Sequence, residues 1–499
     1  MKKILVANRG EIALRVMKAC HEMDVPTVAV YSTSDKGSLH VQFADEAVCI
    51  GPPPPLESYL NIERLLSTAK ERGADAIHPG YGFLAENSDF ARRCSEEGIT
   101  FIGPGHEAMR LLGNKVESRK TMVEAGIPVI PGMMRAGKDV GSLRKEATEM
   151  GLPVLVKAAG GGGGKGMRIV REEKELEDSL SACMREAKSA FGDDTIYLER
   201  YIERPRHIEF QILADCHGNV VHLFERECSI QRRYQKIVEE TPSVALDPGL
   251  REKMGRVAVK VAETAGYTNA GTVEFLLDEK REFYFLEVNA RVQVEHPITE
   301  AVVGVDLVKQ QIRIASGEKL LLKQEELRQR GHAIECRIYA EDPENNFLPC
   351  AGKILFVKEP EGPGIRCDSG IWSGCEVSVH YDPILSKLVV WDETREQACK
   401  RMTAALKRYA ILGIKTTTSF LAAVMEHPAF HEGKTHTGFI ADHFWDWRSP
   451  EGDGSGLRIA LLAAAALEKK APARRAPGAV AETFSPWKSG TKWRIGGNS

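Results

Sequence analysis

The sequence predicts a multidomain α/β protein that opens with a doubly wound parallel sheet. Three observations predict it. Residues 1 to about 112 alternate short apolar runs with helical patterns, the βαβ rhythm of a parallel sheet with helices on both faces. The chain has 499 residues, a length that holds about three domains. Its 43% hydrophobic and 27% charged content is that of a soluble globular protein.

The elements of the first part follow in order. Lys3-Ile-Leu-Val-Ala7 is a buried strand, and the turn Asn8-Arg9-Gly10 leads to a helix carrying Ile12, Leu14, Val16, Met17 and Cys20. Thr27–Tyr31, Ala47–Ile50 and Ala74–Ile77 are further strands, with a helix around 61–72. The first turn lacks the G-x-G-x-x-G of a dinucleotide fold, which argues against a nicotinamide enzyme. His78-Pro-Gly-Tyr-Gly-Phe-Leu-Ala-Glu-Asn87 then lies beyond the carboxyl end of a strand, where open α/β sheets bind ligands. A turn closed by a cap at Asn87-Ser88 explains the glycines but not Tyr81 and Glu86. Both readings stay open.

Gly-Asn-Lys115 opens a helix, and a second unit follows. Pro153-Val-Leu-Val-Lys157 runs through two alanines into five glycines before Lys165, and Met167–Val170 resumes the apolar pattern. It is not a Walker A loop: the first required Gly is Ala159, and Gly166 stands where Ser or Thr is needed. A linker rarely interrupts two strands, so the run reads as a hairpin that lays its amides over phosphates, with Lys157 as a point charge. Thr195–Ile202 is a strand, and Arg206–Leu213 places His207, Glu209 and Gln211 on one side. Arg232, Arg233 and Lys236 make an anion-attracting cluster or a solvated one.

Residues 283–295 alternate with period two. Tyr284, Leu286, Val288, Ala290, Val292 and Val294 fall on one side; Glu287, Asn289, Arg291, Gln293 and Glu295 fall on the other. A solvated sheet face alternates too, but this polar side holds no Lys, Ser or Thr. Folding Gly271–Leu277 against 283–289 about the charged loop 278–282 sets Glu274 opposite Glu287. Facing carboxylates repel unless a hard divalent cation lies between them. The pair, with Asn289 as a further oxygen ligand, is therefore a Mg²⁺ site.

Residues 331–447 mix short strands with helices around 394–410 and 417–427. From 448 the composition turns to linker, an Ala/Leu helix and two tryptophans, which reads as a partner-docking tail. A net charge of −3 supplies no field for nucleic acid, and no apolar run approaches a membrane span. The apolar core after Met1 is too short for a signal peptide. Eleven scattered cysteines without a CxxC fit reduced thiols in the cytoplasm.

Asn8-Arg-Gly-Glu-Ile-Ala-Leu-Arg15, His78-Pro-Gly-Tyr-Gly-Phe-Leu84, the glycines after Lys157 and Arg291-Val-Gln-Val-Glu-His-Pro297 occur in order across residues 1–447. Together they resemble biotin carboxylase, the ATP-grasp subunit of biotin-dependent carboxylases. The resemblance implies an N-terminal domain over 1–112, an ATP-grasp domain over 113–330 with a mobile lid at about 131–203, and a mixed α+β C-terminal domain over 331–447. It implies ATP with Mg²⁺ or Mn²⁺, bicarbonate activated as carboxyphosphate, and biotin on a separate carrier protein as the substrate. Carried over by motif, Lys115 and Lys157 bind phosphates under Gly163 and Gly164. Glu199, Arg200, Tyr201 and Ile202 line the adenine pocket, and His207, Gln231 and Lys236 face the nucleotide. Glu274, Glu287 and Asn289 hold metal. Arg291, Gln293 and Val294 hold bicarbonate, Glu295 is the base, and Arg337 touches phosphate or biotin.

Tyr234 stands where the family commonly has His, so nucleotide affinity is expected to differ. The Ala-Met-Lys-Met biotin attachment motif is absent, which assigns the carrier and the carboxyltransferase to other chains. The resemblance also implies a homodimer. The competing readings are another ATP-grasp ligase and a non-catalytic ATP-binding subunit; the second would show eroded metal and base residues, and all of them are present.

Overall fold

The computed structural model describes residues 1–133, 135–159 and 167–449. The lid glycines Gly163 and Gly164 and the docking tail beyond Ser449 lie outside the described residues.

Strands β1 (Ile4–Val6), β2 (Thr27–Ser32), β3 (Glu46–Gly51), β4 (Ala76–His78) and β5 (Thr100–Phe101) form a parallel sheet in the order β3-β2-β1-β4-β5. Both faces are apolar, which is why its strands read as unbroken apolar runs. Ile4 and Val6 pack with Ile12, Val16 and Met17 of the helix Gly10–His21. Leu5 shares the opposite core with Leu65 and Phe90, from the helices Ile62–Glu71 and Ser88–Glu96. Asn87 caps the latter helix by accepting the Phe90 amide at 2.8 Å.

In the second unit β6 (Val154–Ala158) and β7 (Met167–Val170) form the expected antiparallel hairpin. Strand β8 (Ile196–Arg200) pairs with the other edge of β6.

The site is built on a third, larger sheet. Its strands are β9 (Arg206–Ala214), β10 (Val220–Arg232), β11 (Gln235–Thr241), β12 (Asn269–Leu277), β13 (Phe283–Asn289), β14 (His332–Tyr339), β15 (Ile365–Ser369) and β16 (Ile384–Asp392). They run antiparallel in the order β13-β12-β9-β10-β11-β14-β16-β15, so the sheet is continuous across residue 331. One face is apolar: Phe210 and Ile212 of β9 meet Val273 and Phe275 of β12 under Met254 and Val261 of the helix Pro248–Thr264. The opposite face carries the buried His207, Glu209 and Gln211.

The alternation expected through 283–295 is corrected in two ways. The strand ends at Asn289, and the chain then loops into the helix His296–Val303. Glu274 does face Glu287, but Phe275 faces Phe285, so Leu286 is the extra residue of a β-bulge. The bulge reverses the parity. Phe283 and Phe285 are therefore the core residues, while Tyr284 and Leu286 are only half-buried.

Candidate active site

The bulge lets one strand serve two environments, with phenylalanines in the core and carboxylates at the site. Glu274 is buried, and Lys236 of β11 donates to it at 2.7 Å. The same ammonium donates to Glu295 at 2.7 Å and to Glu209. Three carboxylates around one lysine hold its pKa well above the usual value, although burial opposes this. Burial alone would raise Glu274; Lys236 and then His207, whose Nε2 lies 3.0 Å away, pull it below the carboxylate range. Gln231 orients His207 through Nδ1 at 2.7 Å.

Glu287 pairs with Lys115 at 3.2 Å, and the Asn289 amide donates to Glu274 at 2.8 Å. Glu274, Glu287 and Asn289 thus offer hard oxygen donors from paired strands, already neutralised by ammonium groups. A divalent cation of the Mg²⁺ class fits that donor set, because it supplies the charge these lysines now supply.

Arg291 donates to Glu86 at 2.8 Å, to Gln293 at 2.9 Å and to Asn289 at 3.1 Å. Glu86 also accepts the Ala290 amide at 2.9 Å. The loop after His78 is therefore more than a turn and a cap: it grips the loop that bears Arg291. The Val294 carbonyl accepts from Lys387 at 3.0 Å. Glu295 is fully buried, with Lys236 on one oxygen and Arg337 on the other at 2.9 Å. Burial would raise its pKa, but Lys236, Arg337 and Arg226 pull it well below the usual range. Its charge is thus held by cations on both oxygens.

Lys157 lies against Glu199 of β8, and Arg119 reaches the same carboxylate at 3.1 Å. The Arg200 and Tyr201 amides already donate to the carbonyls of Pro131 and Pro153, at 2.8 and 3.0 Å. Base reading by these two amides is therefore not available, and Ile202 follows directly. Tyr234 sits with Arg233 in the left-handed turn between β10 and β11 and is 51% exposed. The basic cluster is corrected: Arg232 is bonded to Glu341 at 2.9 Å, Arg233 to Asn346 at 2.9 Å, and Lys236 to three carboxylates. Arg232 and Lys236 are thus paired with carboxylates, while Arg233 stays exposed to solvent.

Sequence reasoning missed a layer beneath these groups. Arg226 is fully buried and bonds Glu209 at 2.5 Å, Gln211 at 2.8 Å and Thr299 at 2.9 Å. Arg337 joins Glu295 to Glu239 at 2.6 Å. Lys387, also fully buried, lies 3.2 Å from Glu11, which accepts from Tyr81. The signal was present for Glu209, on the polar side of β9. Glu11 and Lys387 are 376 residues apart, and no local pattern joins them.

The geometry concentrates cations around a buried carboxylate beside an acidic hairpin, and comparison with known proteins agrees with it. Residues 1–109 match the biotin carboxylase N-terminal domain, 114–323 the ATP-binding domain of the carbamoyl-phosphate synthase L chain, and 335–442 the biotin carboxylase C-terminal domain. The chain is 53% identical over 440 residues to biotin carboxylase from Nostoc, covering 88% of this chain and 98% of that protein. It is 50% identical over 441 residues to biotin carboxylase 1 from Bacillus subtilis, again with 88% and 98% coverage. Among solved structures, the biotin carboxylase domain dimer of Hydrogenobacter thermophilus 2-oxoglutarate carboxylase, in complex with MgADP, ADP and bicarbonate, superposes with a TM-score of 0.87. That match is at 51% identity and covers 89% of this chain and 97% of the other. With all three domain matches in order and half of the aligned residues identical, the chain belongs to the biotin carboxylase family.

Proposed function

We propose that Glu295 is the general base and Arg291, Lys236 and Arg337 are the cations of an ATP-dependent carboxylation of biotin. The observation that carries this reading is the placement of buried Glu295 between Lys236 and Arg337, next to the Glu274–Glu287 pair. The chain is the biotin-carboxylating component of such an enzyme and uses ATP, Mg²⁺, bicarbonate and biotin.

Bicarbonate is a poor nucleophile, so its proton must leave as its oxygen attacks the γ-phosphorus. Glu295 is ionised but too acidic to take that proton while both its oxygens are paired. Arrival of an anion between Arg291, Gln293 and the Val294 backbone draws Lys236 and Arg337 toward it. Glu295 then becomes the stronger base. Lys115 and Lys157 offset charge on the transferring phosphoryl group, and Glu274, Glu287 and Asn289 would hold the Mg²⁺ that would supply the rest of that neutralisation. Carboxyphosphate breaks into CO₂ and phosphate, the phosphate takes the proton from the ureido nitrogen of biotin, that nitrogen attacks the CO₂, and Arg291 faces the ureido oxyanion.

Biotin arrives on a separate carrier protein, and the carboxyl group passes to a carboxyltransferase on other chains. A cytoplasmic homodimer is the assembly this reading expects. A purely regulatory ATP-binding protein would have no need for an intact base and metal set.

The test is Glu295→Gln. Bicarbonate-dependent ATP cleavage should fall by about 10²–10⁴-fold, the span of a positioned base, while nucleotide affinity stays unchanged. A variant that still cleaves ATP at the original rate would remove Glu295 from the role.

A further inference from the structure

Beneath Arg337 lies a pair of carboxyl groups for which the reaction above has no use. Glu239 and Glu335 are register partners on β11 and β14, and both are fully buried. Directly opposed residues stand about 5 Å apart at Cβ on one face of a sheet, where two like charges repel. Along β14 the even residues Ile334, Cys336 and Ile338 enter an apolar core, so Glu335 and Arg337 share the other face. That face meets the helix His296–Val303.

Hydrogen bonding at this pair is incomplete. Glu239 Oε1 accepts from Arg337 at 2.6 Å, but Glu239 Oε2 and both oxygens of Glu335 have no partner among the described residues. The charged and titratable groups around them are already engaged or distant. Arg337 bridges Glu239 and Glu295, Lys236 is held by three carboxylates, and Lys387 from β16 is spent on the Val294 carbonyl and Glu11. His296, at the start of the facing helix, is bonded through Nδ1 to the Gln293 carbonyl. Burial pushes Glu335 well above the ordinary range, with Lys387 opposing and Glu239 adding to the rise. Burial likewise pushes Glu239 up to about 7 against the pull of Arg337. A buried carboxyl group with no donor gives up its charge rather than keep it unpaired.

We propose that Glu335 keeps its proton through neutral pH and donates it to Glu239 Oε2, making Glu239 the positioning residue that holds Arg337 as a bridge to Glu295. One shared proton satisfies the bare oxygen of Glu239 and an oxygen of Glu335 together. The pair then carries a single negative charge, matched to one guanidinium. Loss of that proton adds a second charge on the far side of Arg337 and draws it away from Glu295. The site thus weakens in alkali by a route that leaves Glu295 itself unchanged. This rests on the reading that places Arg337 and Glu295 in the site.

Infrared spectroscopy of the full chain reads the proton directly. At about pH 8 the protein should show the carbonyl band of a protonated carboxylic acid. That band should vanish in Glu335→Gln and shift in Glu335→Asp, which retains an acid. In parallel, carboxylation of free biotin should lose its alkaline limb in Glu335→Gln. Glu239→Gln, which keeps the shape but not the charge, should slow carboxylation by about tenfold with nucleotide affinity unchanged. No acid band in the unmodified protein, or a band indifferent to both Glu335 variants, would overturn the shared proton. Full-rate Glu239→Gln would overturn the positioning role. The infrared result does not depend on the assignment of the base, which Glu295→Gln tests alone.

Discussion

The N-terminal parallel sheet and the large antiparallel sheet bury their strands equally well and with opposite chemistry. Ile4, Leu5 and Val6 are all fully buried, and each meets only a core. Glu209, Arg226, Glu239, Glu295, Glu335 and Lys387 are as deeply buried, yet each carries an ionisable group. The first sheet is stabilised by removal of apolar area from water, which is non-directional and forgiving. The second holds charges that tolerate burial only as a closed set of pairs. The difference teaches where stability and chemistry reside: the parallel sheet can lose a methyl group and keep its function, whereas the polar face cannot lose one partner without stranding another.

The sharpest way to break this comparison is Arg226→Met. The substitution keeps the length of the stem but removes the donor to Glu209, Gln211, Thr299 and Thr272 at once. Stranding a buried carboxylate in this way costs about 3–5 kcal/mol, read as a fall in the urea midpoint. Unchanged stability would mean that the polar face is less tightly coupled than its distances indicate.

Acid probes the opposite face of the same sheet through Glu240, the register partner of Ile334. Burial would raise this carboxyl, but the hydrogen bond from His332 at 2.9 Å and the charge of Arg395 hold it at about 2. Its folded pKa lies below its unfolded one, so its contribution is present above the unfolded value. It is lost as pH falls from about 4.5 through about 2. Glu240→Gln should flatten the stability profile in that window and leave the profile above about pH 6 parallel to the original. An unaltered acid limb would assign the loss to other carboxylates.

Glu86→Gln has a smaller effect, on activity rather than stability. It retains an oxygen for the Ala290 amide but removes the charge that pairs with Arg291. Carboxylation should slow by about tenfold, with the larger change in the bicarbonate KM, because a charge-assisted bond becomes a neutral one. A change confined to nucleotide affinity would place Arg291 away from bicarbonate.

The parallel sheet was legible because burial on both faces writes itself as contiguous apolar runs. The facing of Glu274 and Glu287 was legible because the hairpin is local. Tyr284 and Leu286 were set on the apolar side in place of Phe283 and Phe285 because a one-residue bulge at Leu286 leaves no mark in a period-two count. Arg232 and Arg233 read as a basic cluster because their partners, Glu341 and Asn346, lie more than a hundred residues away. Glu239, Glu335 and Lys387 were invisible for the same reason: their roles arise only when β11, β14 and β16 are laid side by side.

Ile77→Val in β4 closes the comparison from the apolar side. Ile77 is fully buried and packs with Leu65, Phe90 and Ile99. Removing one methylene should cost about 1 kcal/mol. No charge is stranded, and the site is touched only through the distant end of the loop after His78. The kcat/KM for biotin and the pH profile should therefore match those of the original chain, with only the unfolding midpoint lowered. If kcat/KM falls as well, the sheet does more than carry that loop: the seating of Glu86 against Arg291 must then depend on the packing of β4, and the two sheets would be one mechanical unit rather than a scaffold and a site.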